Sequence, residues 1–172
     1  MTGSGSQSTE AGQFSLDRLM EKLTGAIAVL GGALLIGLAI LVFASVAGRY
    51  FFSKPVEGDF EFVKMATAIG VFAFLPYAQQ RRANIMVDTF TGWMPQGLQR
   101  AIDAVWDMVF AGFMALCAYS LAKGTLEAAK SGETTMMLQI AVWPAIAVCA
   151  LLSAVVTLAA VNTAIKLIRG RV

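Results

Sequence analysis

The 172 residues are enough for one domain, but 58% are hydrophobic and 14% charged, with a mean hydropathy of +0.70; water-soluble domains sit nearer about half apolar and about a quarter charged. A net charge of +2, with no basic cluster interleaved with stacking aromatics, offers no nucleic-acid surface. The absence of histidine removes His-ligated haem, His-based metal sites and His general bases.

The chain opens with MTGSGSQSTEAGQ, whose Gly, Ser and Thr content predicts a disordered segment over residues 1–15. It lacks the basic start of a signal peptide, and the apolar run behind it is too long for an h-region. That run, residues 23–48, is uncharged. As a helix it reaches about 39 Å, enough to cross a bilayer with tilt. Within it, Ala28 and Gly32, and Ala33 and Gly37, repeat a small-xxx-small spacing that lets helix backbones approach closely.

A polar turn follows. Arg49 and Lys54 face the acidic residues Glu57, Asp59 and Glu61 across Pro55 and Gly58, which supply the bend. This pattern predicts that Arg49 and one of Glu57 or Glu61 fix the turn by ion pairing. The second apolar run covers residues 60–78, carries Glu61 and Lys64 near its start, and ends around Pro76.

Arg81 and Arg82 stop that run. Asn84 to Met94 then gathers Ile85, Met86, Phe90, Trp93 and Met94 on one helical face, with Thr89 among them, and Asn84, Asp88, Thr91 and Gly92 on the other. This predicts a short amphipathic segment lying in the headgroup plane, with Asn84 capping it and Asp88 near its start. Pro95 opens a further helix whose Leu98, Ile102, Val105 and Trp106 lead into a third span, residues 104–121, carrying Asp107. The fourth apolar run lies between Met136 and Ile165. Pro144 suits a first helical turn, where a missing N–H costs little. The fourth helix is therefore expected over residues 143–166, with TTMMLQIAV as an extended lead-in.

The fold class expected is an all-α integral membrane protein: four transmembrane helices forming one membrane domain over residues 16–172, with an interfacial segment between the second and third. Four spans put both termini on one side. That side, with residues 79–103, holds eight of the 13 Lys and Arg: Arg18, Lys22, Arg81, Arg82, Arg100, Lys166, Arg169 and Arg171. The other holds five: Arg49, Lys54, Lys64, Lys123 and Lys130. The positive-inside rule places the first set in the cytoplasm.

Ionisable residues inside spans are the default functional candidates. Glu61, Lys64 and Asp107 all fall close to predicted helix ends and read as boundary or packing residues. Cys117 and Cys149 lie in apolar runs without a CxxC pattern and read as small hydrophobes. No Walker motif, metal constellation, GxSxG or internal repeat with interrupted spans is present. No enzyme activity, cofactor, metal or substrate site of the chain's own is expected.

GRYFFSKPVEGDFEFVK, residues 48–64, resembles the segment joining the first two helices of the small membrane subunit of tripartite ATP-independent periplasmic (TRAP) transporters, the DctQ-type subunit. Arg49, Tyr50, Phe52, Pro55, Glu57 and Glu61 carry that likeness. Arg81, Arg82, Ile85, Val87 and Asp88 match the basic pair and hydrophobic-x-Val-Asp element that follow in the family. GETTMMLQIAVWP, residues 132–144 with Pro144, resembles the lead-in to its last helix. The sequence departs where many members carry Trp and paired acids before the second helix; here the stretch reads EGDFE.

The resemblance implies a partner large membrane subunit that carries the sodium and substrate sites, and a periplasmic solute-binding protein that delivers an organic anion, a carboxylate or sulfonate. The chain itself would be a bacterial or archaeal inner-membrane scaffold in the lipid bilayer, contributing part of the docking surface. Other readings are a stand-alone four-helix scaffold or assembly factor, a small multidrug-type exporter and a redox anchor. The exporter normally needs a carboxylate in its first span and the anchor needs haem-ligating histidines.

Overall fold

The computed structural model describes residues 5–53, 57–81 and 96–168, with side chains placed from Arg18 onward at most positions. It is helical, as the apolar runs predict. The helices are α1 (Gly5–Phe52), α2 (Asp59–Gln80), α3 (Gln96–Ser131) and α4 (Trp143–Ile168). All four are long and apolar enough to cross a membrane.

α1 begins at Gly5, so helix occupies most of the stretch expected to be disordered. Once the apolar run supplies a nucleus, each added residue gains a backbone hydrogen bond, and the polar residues ahead of it extend the helix at little cost. α3 likewise runs to Ser131, beyond the expected end at residue 121. Lys123, Glu127 and Lys130 lower hydropathy without lowering helix propensity. The Lys123 ammonium sits 4.7 Å from the ring centroid of Tyr119, one turn back. Pro76 stands inside α2, buried, and the helix continues to Gln80. A proline removes one intrahelical bond, and here the turn beyond it survives, closed by Arg81 N–H donating to the Tyr77 carbonyl at 3.0 Å. α4 starts at Trp143 with Pro144 in its first turn, as expected.

α1 packs on α2, α2 on α4, and α4 on α3, which makes α1 and α3 the outer helices. Buried positions are Ala104, Asp107, Ala111, Met114 and Ala128 on α3 and include Cys149, Ser153, Val156, Ala160 and Leu167 on α4, which packs on both α2 and α3. Most of these positions recur at spacings of three and four, the stripe that a helix buries against its neighbours. Small residues predominate among them, which permits close approach where no water is available to drive association. The large residues point the other way: Val105, Trp106, Val109, Phe113 and Leu116 are exposed on α3, and Leu151 and Leu158 on α4. Large apolar side chains outside and small or polar ones inside is the arrangement a lipid solvent favours.

α1 meets α2 at one close approach. A methyl on Gly31 would lie 2.7 Å from Ala73 Cβ, and one on Gly70 would lie 2.7 Å from a Leu35 methyl. The missing side chain at Gly31 lets α1 approach Ala73 of α2 this closely, and the one at Gly70 makes room for the Leu35 side chain.

Candidate functional site

Polar groups occupy the ends of the α1–α2 pair. At the Asp59 end, buried Ser45 donates its hydroxyl to Asp59 Oδ2 at 2.5 Å, while Asp59 Oδ1 accepts the Phe60 N–H at 2.7 Å. One carboxylate thus ties α1 to α2 and satisfies an otherwise unbonded amide of the first turn. At the Gln80 end, the buried Thr24 hydroxyl donates to Gln80 Oε1 at 2.7 Å. Thr24 to Ser45 and Asp59 to Gln80 are equal intervals, roughly 21 residues or about 32 Å of helix. That is close to the ~30 Å hydrocarbon thickness of a bilayer. The two bonds therefore bracket a membrane-thick apolar stretch in a single antiparallel register.

Outside the Thr24–Gln80 bond, Arg81 pairs with Glu21 at 3.3 Å and lies 5.4 Å from the Tyr77 ring centroid. Both ends of the ion pair are exposed. Inside it, Gln79 Nε2 donates to Asp107 Oδ1 at 2.7 Å. Gln79 is 2% exposed and Asp107 5%, so this bond joins α2 to α3 in the interior. Asp107, read from the sequence as a boundary or packing residue, is bonded to a partner the sequence did not indicate.

Glu61 departs from expectation. Its Oε1 accepts the Met137 N–H at 2.6 Å and its Oε2 the Leu138 N–H at 3.1 Å. The α3–α4 connection is thereby fastened to the first turn of α2. That connection is a small hairpin rather than an extended lead-in: Thr134 and Ala141 form an antiparallel bridge, and Thr135 N–H donates to the Ile140 carbonyl at 2.9 Å. Gly58 seats it. Its φ of 76° favours glycine, and a methyl there would meet Leu138 Cδ1 at 2.3 Å. The anticipated pairing of Arg49 with Glu57 or Glu61 is not what the structure builds. Both Glu61 oxygens are taken by amides, and Arg49 stands exposed in the last turn of α1, within electrostatic reach of Asp59.

The remaining sequence candidates scatter. Tyr50 is exposed and stacks edge-on with Phe51, ring centroids 5.2 Å apart. Glu57 and Lys64 are exposed. Gly32 lies at the margin of the α1–α2 contact, where a methyl would meet the Phe74 ring at 3.8 Å. A methyl on Gly37 would meet nothing within 4 Å. Pro55, Arg82, Asp88 and the proposed interfacial segment lie outside the described residues. Cys117 and Cys149 are free thiols.

Among the described residues no group of three or more His, Cys, Asp or Glu could hold a metal ion. The polar residues present hold helices and a loop in place, and sequence reasoning missed Ser45, Asp59 and Gln79 as members of these contacts. A polar residue isolated in an apolar run was the available signal for Ser45 and Thr24.

Residues 38–170 match the family described as tripartite ATP-independent periplasmic transporters, DctQ component. The match takes in the latter part of α1 and all of α2, α3 and α4. No curated protein and no solved structure matches the chain. Four membrane-length helices, a clamped helical pair and a match over most of the sequence agree: the chain belongs to the DctQ family, the small component of TRAP transporters.

Proposed function

We propose that the chain is the scaffold of a sodium-driven uptake system for an organic anion, a carboxylate or sulfonate. It holds a large membrane subunit that carries the sodium and substrate sites, and it contributes to the surface on which a periplasmic binding protein docks. Both termini and residues 79–103 face the cytoplasm, in accord with the Lys and Arg distribution.

One observation carries the scaffold reading. α1 spends one face on α2, through Gly31 and Leu35, and leaves Val29, Ala33, Ile36, Gly37, Ile40 and Phe43 exposed along the other. Ala33 and Gly37 are the small positions on that open face, with bulky side chains on either side. Small residues flanked by large ones make a groove for a second helix, and in lipid such packing drives association. Of the two small-xxx-small pairs, Ala33 and Gly37 are therefore the better candidates, since Gly32 lies beside Phe74.

The test is co-purification of the large subunit in mild detergent. Gly37→Leu should lose the large subunit while the chain itself stays folded. Retention of normal yield by Gly37→Leu would remove this face as the interface.

A further inference from the structure

We propose that the α3–α4 connection, residues 132–142, is a membrane anchor whose methionine tip inserts at the boundary between lipid headgroups and acyl chains. The inference does not depend on the transport reading.

The depth of the tip follows from α2. Its 22 residues reach about 33 Å, hardly more than the ~30 Å hydrocarbon core, so α2 has no length to spare and its first turn lies at one hydrocarbon boundary. Glu61 is in that turn, and it holds the amides of Met137 and Leu138. The tip of the hairpin is therefore at the level of the boundary rather than out in water.

The backbone is prepared for that level. Non-helical chain at membrane depth is tolerated only where its polar groups are satisfied internally. Glu133 N–H donates to the Ala128 carbonyl, Thr135 N–H to the Ile140 carbonyl and Val142 N–H to the Glu133 carbonyl. Ile140 N–H donates to Thr135 Oγ1 at 3.1 Å. Adding the two amides on Glu61, the hairpin uses within the protein many of the donors that an aqueous loop would leave to water.

The side chains point to lipid as the occupant. Met136 is 98% exposed and Met137 72%; Trp143, at the start of α4, and Phe60, beside Glu61 at the start of α2, are exposed as well. No charged residue occurs from 134 to 165, so the hairpin tip and α4 as far as Ile165 form one uncharged stretch. Flexible, apolar methionines and exposed aromatic residues suit an interfacial layer, where tryptophan is enriched. Leu138 turns inward onto Gly58 and fixes the direction of the tip.

The experiment uses the full chain with Cys117→Ala and Cys149→Ala, reconstituted in phosphatidylethanolamine–phosphatidylglycerol vesicles. A nitroxide label is placed through Met136→Cys, and its collision rates with oxygen, which partitions into lipid, and with a water-soluble nickel chelate are compared. Leu151→Cys on the exposed face of α4 provides a lipid-facing reference and Lys130→Cys on α3 an aqueous one. The label at 136 should collide more with oxygen than with nickel and rank between the references. In Glu61→Gln, whose amide can no longer accept both N–H groups, nickel collisions at 136 should rise toward the Lys130 value. The Leu151 reading should stay unchanged in that variant, showing the bundle intact. Gly58→Ala, which displaces Leu138, should act in the same direction. A label at 136 as nickel-accessible as that at 130, or one shielded from both reagents by protein, overturns the anchor. An unchanged depth in both Glu61→Gln and Gly58→Ala overturns the role of the clamp.

Discussion

Hairpin α1–α2 is held by one close backbone approach at Gly31, Gly70 and Ala73 and by a polar bond near each end, whereas α3–α4 is held along its length by a seam of small and medium side chains from Ala104 to Leu167. The first arrangement fixes register with few contacts and leaves most of α1 uncovered. The second fixes position by continuous packing, and α4 is also covered by α2. One chain thus combines a closely packed centre with an outer helix that keeps one face uncovered. In lipid that combination depends on glycine and on a few bonded polar groups rather than on a large apolar core, because the solvent is itself apolar.

The comparison breaks first in the seam. Met114 is buried on α3, which packs against α4, so Met114→Ala should cost about 2–5 kcal/mol, read as a lower midpoint of thermal unfolding in detergent. Leu30→Ala on the open face of α1 should shift that midpoint little. Equal losses would mean that α1 is as covered as α3.

Next comes the backbone approach. Gly31→Leu places a branched side chain where a single methyl already meets Ala73, and overpacking of this kind costs about 1–3 kcal/mol. Gly37→Leu should leave the isolated chain within about 0.5 kcal/mol of wild type. The pair separates folding from partner binding: Gly31→Leu should lower the unfolding midpoint, and Gly37→Leu should lower only the yield of co-purified large subunit.

The interior bond between Gln79 and Asp107 sharpens the comparison. Gln79→Leu removes a donor from a buried carboxylate, at a cost of about 1–3 kcal/mol. Adding Asp107→Leu should recover part of that loss, because replacing both members of a buried polar pair by apolar residues is far less costly than removing one. If the double variant is no more stable than Gln79→Leu, the bond is not the main contact of Asp107. The smallest effect should come from Arg81→Ala. Arg81 and Glu21 are 58% and 60% exposed, and exposed pairs contribute about 0–1 kcal/mol, less in salt. A midpoint shift as large as that of Gln79→Leu would show that this end is more tightly built than its exposure implies.

The helices themselves were legible. Uninterrupted apolar runs marked α1 and α4, and Pro144 placed the start of α4 at Trp143. The far ends of α1 and α3 were not, because hydropathy falls wherever charge begins while a helix continues through Lys123 or Gln13 without penalty. The face of α1 was legible only in part. Small residues at 28, 31, 32, 33 and 37 surround much of the helix, and a rotation of about 100° per residue separates Gly31 from Gly32. Which one meets α2 depends on where Ala73 and Gly70 lie opposite, a tertiary fact. The Glu61 contact was out of reach for a related reason: its partners are backbone amides in a hairpin whose shape exists only once α3 and α4 have packed. Opposite charges near Arg49 offered a local pairing, and a bidentate bond to two loop amides prevailed.

The central claim is that this chain supports a large membrane subunit and moves no substrate alone. Its most direct test is uptake of a labelled organic anion into liposomes under an inward sodium gradient, with the binding protein and its ligand present outside. The small chain alone, the large subunit alone and both together are compared. The account predicts uptake only with both, and loss of that uptake when Gly37→Leu replaces the wild-type chain. Uptake by the small chain alone at the rate of the full system, or full activity of the large subunit without it, would contradict the account.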